Sequence, residues 1–358
     1  PMNPRITFSE DFAKTITDFT GPFSEFFINH KTEAYIVGGF IRDSLIGIPC
    51  HDIDIVVKGD PQLLANNLAK KLNGTCFLLD PDHNIYRVLV KGDRQFNTPS
   101  KRIPPSTNHN SFWNVDLAPF YGSIEEDLYT RDFTINAIAL DLTKVSSGIS
   151  MTSLTDPTDG IKDLLWEKQL RSVSTTAIQT DPIRILRGVR IGARLGLSIA
   201  ASTTKEMELE AVHLSNSAPE RIRNEFLNIL SDSNASNTLS TLDALGVLHE
   251  LFPQLSSGKG VSQPFEHYWD VFNHSIEAVR MTENILSKDF REQEQVGVSI
   301  PWEPWLHDHF SEEVTDGYSR SVILKLTALL HDIAKPATKT LDHTGRARFL
   351  GHTNLGAS

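Results

Sequence analysis

Apolar residues recur at helical intervals over residues 8–30, at Phe8, Phe12, Ile16 and Phe19 and again at Phe23, Phe26 and Phe27. That spacing predicts a helical lead-in whose aromatic face packs on the domain that follows. A short apolar run at 34–37 stops at Gly38-Gly39, residues 40–46 return to helical spacing, and residues 53–57 are strand-like. An amphipathic helix is expected over 61–72, ended by Asn73-Gly74, with strands over 76–79, 86–90 and 115–120. Residues 92–110, rich in Pro, Ser and Asn and without periodicity, read as a solvated loop. Beyond residue 171 strand character nearly disappears as far as about residue 250; residues 232–241 read as a turn and 256–264 as a Gly/Ser linker. The expected class is α+β. A mixed sheet with helices occupies 1–155, an all-helical domain 156–255 and a further helical domain 256–358.

Composition narrows the function classes. With 358 residues, 39% hydrophobic and 22% charged, the chain has the make-up of a soluble protein of two or three domains. It holds no apolar run of about 18 residues, and its first residues lack the basic and apolar regions of a secretory signal, so a cytoplasmic protein is expected. Cys50 and Cys76 form no C-x-x-C pair, which argues against a disulfide framework and a thiolate zinc site. A net charge of −11 disfavours coating of nucleic acid by bulk electrostatics, and leaves any such contact to local basic faces.

The chemistry concentrates between residues 38 and 57. A glycine pair between a strand and a helix lets backbone approach a ligand closely, and the first amides of the following helix suit a phosphate. Side chains alternate along a strand, so Asp52 and Asp54 fall on one face. Two carboxylates that close repel unless one is protonated or a divalent ion neutralises both. Magnesium beside a triphosphate-binding turn is the composition of a phosphoryl-transfer site.

GGFIRD at 38–43 followed by DID at 52–54 resembles the class II tRNA nucleotidyltransferase and bacterial poly(A) polymerase family, within the DNA polymerase beta-like superfamily. The resemblance implies a catalytic palm in which Asp52 and Asp54 hold two Mg²⁺, Asp116 is a third acid, and Gly38, Gly39, Arg42 and Asp43 surround the nucleotide. EEDLYTRDFTINAIAL at 125–140 resembles a second family motif, with Thr130 in place of its first arginine. It implies nucleotide contacts from Arg131, Asp132 and Asn136. From the residues alone, the same stretch is an amphipathic helix with Ile135, Ile138 and Ala139 toward a core. Residues 155–171 resemble the family's D-G-x-x-D-L connector, a candidate hinge.

In the helical region, Asp181-Pro182 is a good helix start, and Arg184, Arg187, Arg190 and Arg194 share one face of the helix that follows. Such a stripe is either solvated surface or a face for phosphates and bases. The resemblance implies that Asp181 and Arg184 imitate a base-pairing edge, the carboxylate accepting from an exocyclic amine and the guanidinium donating to ring acceptors. Cytosine and adenine satisfy that pattern; uracil and guanine do not. Arg221 and Glu225, four apart, are expected to pair with each other as a buttress.

Near the end of the chain, His274 with His331 and Asp332 resembles an HD phosphohydrolase domain and makes a candidate second divalent-metal site. The usual set needs another aspartate further downstream, and the sequence given stops at Ser358. The resemblance as a whole implies addition of CMP and AMP, from CTP and ATP, to the 3′ end of tRNA. A poly(A) polymerase, an enzyme restricted to CC or A addition, an HD-type phosphohydrolase and a non-catalytic RNA-binding protein remain as alternatives.

Overall fold

The computed structural model describes residues 10–91, 112–145, 153–264, 268–287 and 302–357, so the loop expected at 92–110 lies outside the described residues. The chain divides into two compact units, Pro1–Ala177 and Ile178–Ser358.

The first unit is a seven-stranded sheet with helices. Its elements are α1 (Glu10–Asn29), β1 (Ala34–Val37), α2 (Gly39–Leu45), β2 (Asp52–Val57), α3 (Pro61–Lys71), β3 (Thr75–Asp80), β4 (Ile85–Lys91), β5 (Phe112–Pro119), α4 (Ile124–Tyr129), β6 (Ala139–Asp141) and β7 (Leu154–Thr155). The strand order is β3-β4-β5-β2-β1-β6-β7, with β2 and β5 parallel and the other neighbours antiparallel. Strand alternation sorts the side chains. Ile53, Ile55 and Val57 of β2 join Val88, Val115 and Leu117 in a core closed by Phe23, Phe26 and Phe27 of α1 and Leu64 and Leu68 of α3. Burying each such aliphatic side chain contributes about 1.5–3 kcal/mol. Asp60 starts α3 by accepting from the amides of Gln62 and Leu63, with Pro61 at the first helical position. A smaller cluster with Val37, Val56, Phe120, Leu128 and Ala139 fills the opposite face. Asp52 and Asp54 lie on that same face, toward the start of β2.

Residues 125–140 are not one helix. α4 ends at Tyr129, a 3₁₀ turn spans Thr134–Asn136, and β6 follows. Backbone pairing breaks the helical pattern: Thr134 N donates to Arg171 O and Val173 N to Asp132 O.

The second unit is mainly helical, with α5 (Arg184–Leu195), α6 (Ala201–Glu210), α7 (Pro219–Ser231), α8 (Ala235–Ala244), α9 (Val271–Leu286) and α10 (Arg320–Leu330). α5 buries Ile185, Leu186 and Val189, α7 buries Phe226, Ile229 and Leu230, and α9 packs on α10, with Ile276 and Val279 of α9 and Leu329 of α10 buried. Two local expectations give way. Asp181 caps no helix with its side chain, because α5 begins at Arg184 and the Asp181 carboxylate is taken by Arg221. Most of residues 232–241 lies in α8 rather than a turn. There the hydroxyls of Thr238, Ser240 and Thr241 donate to carbonyls four residues back while Leu239 and Leu242 are buried.

Candidate active site

The parallel pairing of β2 and β5 brings Asp54 opposite Asp116 and Asp52 opposite Asn114. Asn114 Nδ2 donates to Asp52 Oδ1 at 2.7 Å. Antiparallel β4 then sets Arg87 beside Asp116, donating from Nε and Nη2 to the two carboxylate oxygens at 2.7 Å each. Asp54 remains open to solvent. Even so, desolvation by the surrounding strands pushes its carboxyl above the usual aspartate range, Asp116 adds to the effect, and Arg131 opposes it. The sheet thus gathers the three expected acids with one cation, Arg87, and it is Arg87 that sequence reasoning missed. A signal was present, because alternation along 85–91 places Arg87 opposite the inward Val88 and so on the acidic face. This excess of negative charge and its oxygen donors fit a hard divalent ion at Asp52 and Asp54. Asp116, the expected third acid, lies on this face and is held by Arg87.

Gly38 joins β1 to α2 with φ +74° and ψ −138°, a conformation that only glycine adopts easily. A Cβ there would stand 3.3 Å from Asp54 Oδ2 and 3.7 Å from Arg131 Nη1. The bare backbone, the acid and the arginine therefore share one spot. Asp127 orients Arg131 by accepting from its Nε and Nη2. Arg42, expected to cradle a triphosphate, is instead buried. It donates from Nε to Asp43 and from Nη1 to Asn136 Oδ1, each at 2.7 Å, while Asn136 donates to Asp132 at 3.0 Å. Arg42, Asp43, Asp132 and Asn136 come together as an internal network that props the glycine turn. Gly39 sits against it, its Cβ position 3.5 Å from Arg42 Nη2.

In the second unit, Arg221 grips Asp181 by donating from Nη1 and Nη2 to its two carboxylate oxygens at 3.2 and 2.7 Å. Glu225 accepts from Arg187 at 3.2 Å and from Arg190 at 2.8 Å. Arg221 and Glu225 therefore do not pair with each other as expected. Each reaches from α7 to the segment of Asp181 and α5, because facing side chains on packed helices offer better geometry than neighbours four residues apart on one surface. Arg184 heads α5, three residues after Asp181.

His274 on α9 and His331 and Asp332 after α10 converge, their ligand atoms within 4.8 Å of one another. Asp332 Oδ2 lies 3.0 Å from His331 Nε2, 3.4 Å from His274 Nε2 and 2.7 Å from Lys335 Nζ, and Asp332 Oδ1 is 3.5 Å from His352 Nε2. Burial works to raise the Asp332 pKa, but hydrogen bonds from His331 and Lys335 outweigh it and hold the carboxyl well below its usual range. The hydrogen bond to Asp332 in turn lifts His331. Two imidazoles and a carboxylate fit a divalent ion, but it has to displace the ammonium of Lys335. Sequence reasoning did not reach Lys335 or His352, because only the folded turns bring them to Asp332.

Residues 34–171 match the family model "Poly A polymerase head domain", and residues 196–258 match "Probable RNA and SrmB-binding site of polymerase A". The chain is 30% identical over 330 residues to an A-adding tRNA nucleotidyltransferase of Deinococcus radiodurans and 28% identical over 331 residues to a CC-adding tRNA nucleotidyltransferase of Thermus thermophilus. These alignments cover 90% and 91% of this chain and 62% of each relative. It thus spans less than two thirds of the length of these relatives. Among solved structures, a CCA-adding enzyme with CTP matches with TM-score 0.58 and 26% identity, covering 77% of this chain and 58% of that one. An apo CCA-adding enzyme shares the fold with TM-score 0.61 at 22% identity, covering 96% of this chain and 70% of that one. No described helix is long and apolar enough to cross a membrane. Residues 34–171 thus match a poly(A) polymerase head domain and residues 196–258 a polymerase RNA-binding segment, and the chain as a whole is similar to tRNA nucleotidyltransferases.

Proposed function

We propose that this chain is a template-independent RNA nucleotidyltransferase that works in the cytoplasm and adds CMP and AMP, from CTP and ATP, to the 3′ end of tRNA. The observation that carries the reading is the shared spot of Gly38, Asp54 and Arg131, with Asp52 and Asp116 on the same sheet face. Asp52 and Asp54 are the residues to hold two Mg²⁺. When bound, the ions activate the RNA 3′-hydroxyl and neutralise the leaving pyrophosphate. Gly38 admits the triphosphate to the backbone and Arg131 supplies positive charge beside it. Arg42, Asp43, Asp132 and Asn136 keep the turn in shape. In the second unit, Asp181 and Arg184 present an acceptor and donors suited to the amine edge of cytosine or adenine, and Arg221 sets the direction of Asp181.

The test offers tRNA ending in the discriminator base, in C and in CC, with labelled CTP and ATP supplied separately. Completion of CCA on all three supports the full reaction. Extension of only some of them assigns CC or A addition, and a long adenosine tail assigns poly(A) synthesis. Asp52→Ala and Asp54→Ala should each abolish incorporation, and retained activity removes the assignment.

A second reading rests on the convergence of His274, His331 and His352 on Asp332, which is suited to an HD-type phosphohydrolase with its own divalent ion. It predicts hydrolysis of a 2′,3′-cyclic phosphate that disappears in His331→Ala, without nucleotide addition.

A further inference from the structure

Asp163 is a buried carboxylate that the proposed reaction does not use, and it accepts hydrogen bonds from Thr134 and from Arg171, whose carbonyl in turn holds the Thr134 amide. Thr134 Oγ1 donates to its Oδ2 at 2.6 Å, Gln169 Nε2 to its Oδ1 at 2.9 Å and Arg171 Nε to its Oδ2 at 3.0 Å. Arg171 returns to the same place by accepting from Thr134 N at 2.9 Å, and its Nη2 donates to Thr158 O at 2.7 Å. Gly160 closes the arrangement from the other side. A Cβ there would lie 1.9 Å from Thr134 O and 2.6 Å from Thr134 C, so the two backbones touch with no room for a side chain. The Asp156 carboxylate holds that glycine by accepting from Gly160 N and Ile161 N at 2.8 and 2.9 Å.

Thr134 begins the 3₁₀ turn that carries Asn136, and Asn136 Oδ1 is the acceptor for Arg42 one turn into α2. A continuous set of short contacts therefore runs from Asp163 through Thr134 and Asn136 to Arg42 and the Gly38 turn. Each of these side chains is nearly inaccessible to solvent, so slack at one end has no water to absorb it.

We infer that Asp163 is a positioning residue for nucleotide binding, acting through the Thr134 hydroxyl to set the turn that braces Arg42 and Gly38. The inference rests on the nucleotidyltransferase reading for the identity of the ligand. Burial of Asp163 with three donors on it has a simpler alternative, a purely structural anchor, and the two separate by experiment.

Binding of ATP in the presence of MgCl₂ is measured by titration calorimetry on the full chain, alongside the melting temperature, for Thr134→Val, Thr134→Ser and Asp163→Asn. Thr134→Val keeps the shape of the side chain and removes its donor. It should weaken ATP binding about tenfold, the scale of one hydrogen bond lost in a buried network, and Thr134→Ser should restore affinity to within about twofold of the unsubstituted chain. Asp163→Asn should fall with Thr134→Val. If Thr134→Val melts earlier but binds ATP as tightly as the unsubstituted chain, the positioning role is overturned. If the unsubstituted chain binds ATP and Thr134→Val weakens that binding, yet no RNA is extended, the positioning role stands and the transferase reading fails. Absence of ATP binding in the unsubstituted chain overturns both.

Discussion

Arg87 and Asp116 are cross-strand partners whose side chains meet through two parallel hydrogen bonds of 2.7 Å, beside the carboxylate of Asp54. The pair is partly accessible, with side chains 27% and 17% exposed, so water moderates its strength. Its importance lies in charge balance. Without Arg87 the sheet face would carry Asp52, Asp54 and Asp116 with less positive charge among them.

Arg87→Met should therefore lower stability by about 1–2 kcal/mol in buffer containing EDTA, the range for a charged hydrogen-bonded pair that water still reaches. Added MgCl₂ should recover part of that loss, because an ion at the acidic face takes over the neutralisation. Thermal melts with and without magnesium check both halves. Equal losses under the two conditions would show that Arg87 serves packing alone.

Asp54 gives the pH dependence of the metal-free protein. Burial first, then Asp116, raises its folded pKa above the ordinary value of 3.8. In the window above 3.8 the folded state thus holds more protons at this site than the unfolded state, and the site's contribution to stability falls as pH rises through the raised value. At pH 7, well above 3.8, this site is therefore a net cost to folding. Asp54→Asn should therefore melt higher than the unsubstituted chain at pH 7 with EDTA present, lose that advantage near pH 4, and incorporate no nucleotide. Melts across pH 4–8 read this directly; a lower melting temperature for Asp54→Asn at pH 7 would contradict it.

Much of the first unit was legible because its signals are local. The period of two along β2 fixed which face Asp52 and Asp54 share, and the glycine pair marked the sharp turn at Gly38. Partnerships across the chain were less visible. Arg42 was expected at the phosphates, but a buried guanidinium needs several acceptors, and Asp43 and Asn136, the latter 94 residues away, provide them. Arg221 and Glu225 sit four apart and look like partners, yet each finds a better one on the segment packed against α7. The Asp163–Thr134 contact joins two motifs that are separate in sequence, and spacing alone gives no hint of it.

Glu225 ties α7 to α5 by taking one hydrogen bond from Arg187 and one from Arg190, while its own side chain is only 12% exposed. Glu225→Gln leaves two guanidinium groups facing a neutral amide. A loss of about 1–3 kcal/mol is expected, as for a mostly buried charged acceptor. Glu225→Gln combined with Arg190→Met should cost less than the sum of the two single changes, since the second removes a cation already deprived of its partner. Chemical denaturation of the four proteins completes the cycle, and strict additivity would show that the pair does not interact.

At the histidine cluster, Lys335 supplies its own positive charge to the Asp332 oxygen that an ion would need. Lys335→Gln removes that competitor and should tighten Mn²⁺ binding by about tenfold, the effect expected when a cation no longer has to be displaced from a carboxylate. His331→Ala in the same background should abolish the gain. Metal content after dialysis, by elemental analysis, measures both. Unchanged manganese retention in Lys335→Gln would mean that the cluster is a structural ion network.

Gly38 is the most exacting position in the candidate site. Its φ of +74° and ψ of −138° are strained for any residue with a side chain, at a cost of roughly 1–3 kcal/mol. A methyl group would also press to 3.3 Å from Asp54 Oδ2 and 3.7 Å from Arg131 Nη1. Relaxation of the turn must move either the acid or α2, and α2 carries Arg42 within its buried network. Gly38→Ala should thus lose more in nucleotide incorporation than its drop in melting temperature explains. Gly47→Ala, also at positive φ (+73°) but with open space around its Cβ, is the control for backbone strain alone. The expected result is comparable destabilisation of the two variants and loss of incorporation only in Gly38→Ala. Full incorporation by a folded Gly38→Ala protein would mean that the triphosphate does not pass over this turn.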